Sequence, residues 1–206
     1  MDQQQRETEK GSLIELGRRL YDLALVKSSD ETITDPRGNP IGWLLDTRIP
    51  MLDAACFQDV GKALVARLNA KNVDQVIGFG FGSFAIVCSV LSGSEDGSIQ
   101  GGFMRERRKP HGRQRLIEGP VDRSKPIVLI DDILNSGRSA IKAIARAEAD
   151  GFQVNGLMTL FNFTWSGGRQ KVEERGIWVD SLLDLNLRNA VVSSSNDSGS
   201  DGHSPR

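Results

Sequence analysis

Residues 127 to 140, IVLIDDILNSGRSA, constrain the fold more than any other stretch. Ile127 to Ile130 form an unbroken aliphatic run, which marks a strand buried on both faces, as in a parallel sheet. The run passes directly into Asp131 and Asp132 and then into a small polar turn, Asn135-Ser136-Gly137-Arg138-Ser139. Two adjacent carboxylates at the end of a buried strand need a partner, because an uncompensated buried charge is costly.

The rest of the chain alternates in the same style. SLIELGRRLYDLAL spaces Leu13, Leu16, Leu20 and Leu23 for a helix, with Ser12 as its N-cap, and MLDAACFQDVGKALVARLNA predicts a second helix starting at Asp53. DQVIGFG reads as a buried strand entering a Gly-rich turn, and SFAIVCSVLSG as a helix closed by Gly93. The strands IQGGFMR and KPIVLIDD, the helix SAIKAIARAEADG, the strand FQVNGLMTLFNF, the short helix GGRQKVEERG and the strand IWVDSLLDL follow. This order predicts an α/β fold, a central, mainly parallel sheet flanked by helices. Pro36, Gly38, Pro40 and Gly42 interrupt the rhythm, so residues 31–48 are expected to form a small hood beside the sheet. One domain over 12–188 is expected, with a flexible N-terminus (1–11) and a polar, disordered tail (189–206).

Composition removes some functions. A net charge of -1 gives no global pull toward nucleic acid or an anionic membrane. No window approaches 18 apolar residues, and the polar start MDQQQRETEKG is unlike a signal peptide. Cys56 and Cys88 lie in apolar stretches without metal-ligand spacing, as small buried thiols of a reducing compartment do. A cytoplasmic protein without a membrane partner is expected.

In an open parallel sheet, ligands bind beyond the carboxyl ends of the strands, where loops enter helix N-termini. The amides of Asn135 to Ser139 suit a phosphate there. Asp131 and Asp132 would repel that phosphate, so they suit vicinal hydroxyls, or a hydrated Mg²⁺ between hydroxyls and a pyrophosphate. Together they describe a phosphorylated sugar; the plainer reading is a capped loop with a glycine turn. A second patch lies at Arg105, Arg107, Arg108, Lys109, Arg113 and Arg115, opposed in that run by Glu106 alone. It reads as a solvated loop, a nucleic-acid contact, or cations that close over a departing anion. The absence of interleaved aromatics argues against nucleic acid.

The string from Ile127 to Ala140 resembles the signature of the type I phosphoribosyltransferases. Three more stretches are similar to the orotate phosphoribosyltransferases among them: FMRERRKPHGRQRLIEG to their mobile catalytic loop, VIGFGFGSFAIV to their pyrophosphate loop, and RGNPIGWLLDTR, with Gly38, Asp46 and Arg48, to their hood. The resemblance covers about residues 12–188. It implies the type I phosphoribosyltransferase fold and transfer of ribose 5-phosphate from 5-phosphoribosyl 1-pyrophosphate to a nucleobase, orotate above all. It also implies a place for each residue. Asp131 and Asp132 take the ribose hydroxyls, and Asn135, Ser136, Gly137, Arg138 and Ser139 hold the 5′-phosphate. Gly80, Phe81, Gly82 and Ser83 form the pyrophosphate loop. Lys109, His111 and Asp132 are the catalytic candidates, with Arg105 and Arg107 on the sugar phosphate. Mg²⁺ is the implied cofactor, held mainly through the substrate and by no direct protein ligand. A homodimer with shared active sites is implied as well.

The chain departs from the family pattern at several points. GFGFGS lacks a Lys, Asp35-Pro36-Arg37 stands where a Lys is usual, Ile41-Gly42 replaces Ser-Pro, and Asn135 and Glu106 replace a hydroxyl and a basic residue. LFNFTW lacks an Arg, and Phe161, Phe163 and Trp165 offer either base stacking or core packing. These departures fall on the base and phosphate contacts. They keep open a phosphoribosyltransferase-fold protein that senses its ligand without turnover, beside the enzyme and the nucleic-acid readings.

Overall fold

The computed structural model describes residues 3–35, 37–108, 112 and 115–186. The helix α1 (Gln3–Ala24) leads into β1 (Leu25–Lys27), which pairs antiparallel with β2 (Trp43–Leu45). Four residues of α2 (Arg48–Met51) and the longer α3 (Ala54–Asn69) follow, then β3 (Gln75–Phe79), α4 (Ser83–Gly93), β4 (Gln100–Met104) and β5 (Ile117–Glu118). The second half contains β6 (Ile127–Leu134), α5 (Arg138–Ala149), β7 (Val154–Phe163), α6 (Gly168–Glu173) and β8 (Trp178–Leu185).

The main sheet has the order β5-β4-β3-β6-β7-β8, parallel except for β5. From β3 the chain steps outward to β4 on one side and later returns to β6 on the other. The direction of winding therefore reverses between β3 and β6, and a crevice opens there at the carboxyl ends. Alternate residues of the central strands feed two cores. Val76, Val128 and Ile130 pack into one with residues of α1, α3 and α4, while Ile77, Ile127 and Leu129 pack into the other with Ala140, Ala143, Ile144 and Ala147 of α5. Burial on both faces is why IVLI carries no polar alternation.

Three boundaries differ from the sequence reading. First, α1 begins at Gln3, so Ser12 lies inside it and caps nothing. Gln, Glu and Lys are good helix formers, and they extend α1 without any apolar stripe to reveal it. Second, the hood's first strand is β1, upstream of residue 31, because Leu25 and Val26 answer Leu45 and Leu44 across the pair. Third, Gly93 is the last helical residue of α4 and Ser94 its C-cap. The cap at Asp53 is present: its side chain accepts from the Cys56 amide at 2.9 Å. The tail at 189–206 lies outside the described residues.

Candidate active site

β6 does not end on its two acids. It keeps pairing with β7 through Leu134, whereas its pairing with β3 stops at Ile130. Asp131 and Asp132 thus stand where one flank of the strand becomes free, at the floor of the crevice. The loop after β3 forms the facing wall. Gly80 has φ +78, a left-handed conformation that favours glycine, and the Ser83 hydroxyl turns inward to donate to Gly80 O at 2.8 Å. Gly82 lies against the acid itself: a Cβ there would stand 2.2 Å from Asp132 Oδ2. Phe81 projects outward and is 81% exposed.

The hood closes the third side. Leu44, Leu45, Asp46, Thr47 and Arg48 line a cleft of about 250 Å³ together with Phe81, Gly82 and Asp132. Arg48 grips Asp46 through two bonds of 2.6 Å, which hold the Asp46 carboxyl below its ordinary range. Thr47 is buried, and its hydroxyl donates to Asp132 Oδ2 at 2.7 Å. The other oxygen of Asp132 accepts the Ile133 amide at 2.8 Å. Asp131 is placed differently. Burial, and after it the charge of Asp132, pushes its carboxyl well above the ordinary range, although Asp131 Oδ1 accepts the Asp132 amide at 3.0 Å.

Asn135 to Ser139 curl over the end of β6 into α5. Gly137 adopts φ +77 at the N-cap, and the first rung of the helix is Ile141 N–H to Gly137 O at 2.9 Å. The amides of Arg138, Ser139 and Ala140 precede that rung and have no acceptor within the helix. The turn is braced from behind. Ser166 Oγ lies 2.6 Å from Asn135 O, and Lys171 donates to Ser136 O at 3.3 Å. A Cβ on Gly168 would stand 1.9 Å from Asn135 O.

The basic loop leaves β4 on the other side of β3. Its stem is closed by Arg105 N–H to Leu116 O at 2.9 Å and by β5 returning antiparallel to β4. Arg146 of α5 donates to Arg105 O and Glu106 O at 2.6 and 2.8 Å. Arg105 itself pairs loosely with Glu118 at 3.8 Å, and Arg107 is exposed. Arg108 is bound to the buried carboxylate of Asp150, the C-cap of α5, which also holds Arg123 at 3.0 Å. The predicted catalytic pair, Lys109 and His111, lies outside the described residues, as does Pro36.

The structure therefore gathers Asp131, Asp132, Gly80, Phe81, Gly82 and Ser83 around one crevice, with the turn Asn135-Ser136-Gly137-Arg138-Ser139 at its edge. It does not bring Arg105 into contact with them. Of the aromatics at the end of β7, Phe161 and Phe163 are core residues, and Trp165 stacks on Phe163 with ring centroids 4.7 Å apart. Thr47, Gly168 and Asp150 escaped the sequence reading. Each acts across a long separation, and no local pattern announces it.

No family model matches the chain. A curated relative, the orotate phosphoribosyltransferase of Tropheryma whipplei (strain Twist), is 32% identical over 165 residues, which cover 79% of this chain and 75% of the relative. The chain belongs to the orotate phosphoribosyltransferase family. The orotate phosphoribosyltransferase of Rhodopirellula baltica is 29% identical over 72% of the chain and 80% of its own length. Among solved structures, an orotate phosphoribosyltransferase of Mycobacterium tuberculosis superposes with a TM-score of 0.73 at 22% identity, covering 84% of this chain and 97% of its own. The same mycobacterial protein has been solved in complex with 5-phospho-alpha-D-ribosyl 1-diphosphate, and that structure matches with a TM-score of 0.69. Adenine phosphoribosyltransferase of Leishmania donovani shares the fold, with a TM-score of 0.63 at 16% identity. An orotate phosphoribosyltransferase fold thus carries the crevice, its acid pair and its turn.

Proposed function

We propose that this protein transfers ribose 5-phosphate from 5-phosphoribosyl 1-pyrophosphate to orotate, yielding orotidine 5′-monophosphate and pyrophosphate. One observation carries the reading beyond kinship: the acid pair lies at the reversal point of the sheet, between a glycine loop and a helix N-terminus with amides to spare. In it, Asp131 and Asp132 take the two ribose hydroxyls. The turn Asn135 to Ser139 binds the 5′-phosphate, and Gly80 to Ser83 face the pyrophosphate. The hood, with Arg48 beside the cleft, covers the base.

The reaction breaks the bond from ribose C1 to the pyrophosphate oxygen, forms one to a ring nitrogen of the base and releases that nitrogen's proton, which balances the one passed to the pyrophosphate. The ribose becomes cationic in between, so the held carboxylate of Asp132 stabilises that charge where it develops. Lys109, with Arg105 and Arg107, neutralises the leaving group, and His111 donates a proton to it. The transfer needs no protein nucleophile, and burial pushes the Cys56 and Cys88 thiols above the ordinary range.

Mg²⁺ belongs to the same proposal. Held mainly through the substrate, it would supply charge neutralisation on the leaving group beside Lys109, Arg105 and Arg107. Two unpaired thiols suit the reducing cytoplasm, where we place the protein. The exposed Ile49, Leu52, Phe81 and Phe84 support a homodimer, in which the basic loop serves the neighbouring site.

The test is to incubate the purified protein with the sugar pyrophosphate, MgCl₂ and, in turn, orotate, uracil and adenine, and to identify nucleotides by mass. Orotidine 5′-monophosphate from orotate alone is expected. Calorimetric binding of the sugar pyrophosphate without nucleotide from any base would replace the enzyme with a ligand-sensing protein.

A further inference from the structure

Thr47 occupies the N-cap of α2, where a threonine hydroxyl ordinarily accepts a bond from an amide of the first turn. Here it makes no such bond. The side chain is 2% exposed and donates instead to Asp132 Oδ2, 85 residues away in the chain. With the Ile133 amide on the other oxygen, the carboxylate is held by two donors, and Gly82 has no room for a side chain beside it. One of the donors comes from the hood. From this we infer that Thr47 is a positioning residue, which fixes Asp132 for the ribose and ties the hood that covers the base to the acid that steadies the sugar.

The inference rests on the proposed phosphoribosyl transfer, and its physical basis is specific. A carboxylate that has lost one of two fixed donors regains side-chain rotation. Misplacement then costs most where ribose charge is greatest, in the transition state rather than the bound ground state. The hydroxyl, not the shape of the side chain, is the active part. Thr47→Val retains shape and removes the hydroxyl, whereas Thr47→Ser does the reverse.

The experiment measures kcat and the KM for the sugar pyrophosphate for wild type, Thr47→Val and Thr47→Ser, alongside their melting temperatures. Thr47→Val is expected to lose about tenfold in kcat with KM changed less than about threefold, and Thr47→Ser to stay within about threefold of wild type. A packing role reverses that order, with Thr47→Val active and Thr47→Ser impaired, and overturns the inference, as do two variants equally impaired or both unimpaired. Should Thr47→Val not fold, Thr47→Ser decides alone: a loss beyond threefold refutes the role of the hydroxyl. Wild-type turnover in the same assay tests the underlying reaction separately. If wild type only binds the sugar pyrophosphate and yields no nucleotide, the underlying reaction fails and the inference fails with it, whereas an unimpaired Thr47→Val beside an active wild type refutes the inference alone.

Discussion

Alanine at Gly82 is the most direct probe of the acid. The added Cβ would stand 2.2 Å from Asp132 Oδ2 and 2.6 Å from its Cγ, more than about 1 Å inside ordinary van der Waals contact. Two relaxations are open. If the loop retreats, overpacking costs about 1–3 kcal/mol. If the carboxylate rotates away, it gives up its bonds to Thr47 and Ile133, each a charge-assisted bond of about 1.5–3 kcal/mol. Gly82→Ala should therefore lose about 1–3 kcal/mol in urea denaturation. Affinity for the sugar pyrophosphate should fall on the order of 10- to 100-fold by calorimetry, or about 1.4–2.8 kcal/mol. Gly42→Ala is the control, because a Cβ there meets nothing within 4 Å; it should stay within about 0.5 kcal/mol of wild type. A Gly82→Ala protein with wild-type stability and affinity would refute the crowded-acid argument.

Asp131→Asn should stabilise the protein in a pH-dependent way. The native carboxyl titrates above its ordinary 3.8, so the folded state keeps a proton that the unfolded chain has already released. Wild-type stability consequently falls as pH rises from 3.8 through the raised native value, and the Asn variant escapes that loss. Melting temperatures between pH 4 and 8 should diverge in favour of Asn as pH increases, whereas a constant or inverted difference contradicts the burial of Asp131. Gly168→Ala should abolish tight binding of the sugar pyrophosphate from outside the crevice, since its Cβ would drive Asn135 O out of the phosphate turn; unchanged affinity removes the brace from the account. Mixing Lys109→Ala with Asp132→Asn under subunit exchange tests the shared site. Random pairing makes about half the dimers hybrid with one intact site each, so activity should return to about a quarter of wild type; a mixture that stays inactive after proven exchange excludes loops acting across the dimer.

Much of the sheet was legible because burial on both faces leaves a simple signature: IVLI and QVIGF carry little that is polar. The extension of β6 to Leu134 was not, since two carboxylates break the apolar run exactly where the strand loses one neighbour and keeps the other. β1 was hidden for a different reason. Leu23 continues the spacing of α1 and Ala24 and Leu25 are good helix formers, while the hood partners that pull residues 25–27 out of the helix lie some twenty residues on. The crevice could be named from local strings, because strand end, turn and helix start are contiguous. Its stiffening could not: Thr47 reaches Asp132, and Asp150 holds Arg108, through contacts that only the folded chain creates.

The grip of Asp150 on Arg108 also sets a tether length. From Arg105 to Leu116 the chain takes eleven steps, enough for an excursion of about 19 Å out and back when fully extended. With Arg108 held at the C-cap of α5, eight steps remain to Leu116, and the outward range shrinks to about 14 Å. The helix itself measures about 18 Å from the Asn135–Ser139 turn to that anchor. A half-exposed guanidinium on a buried carboxylate thus sets the radius that chain length allows to the basic run after it, and a pocket beyond that radius is served only after the two separate.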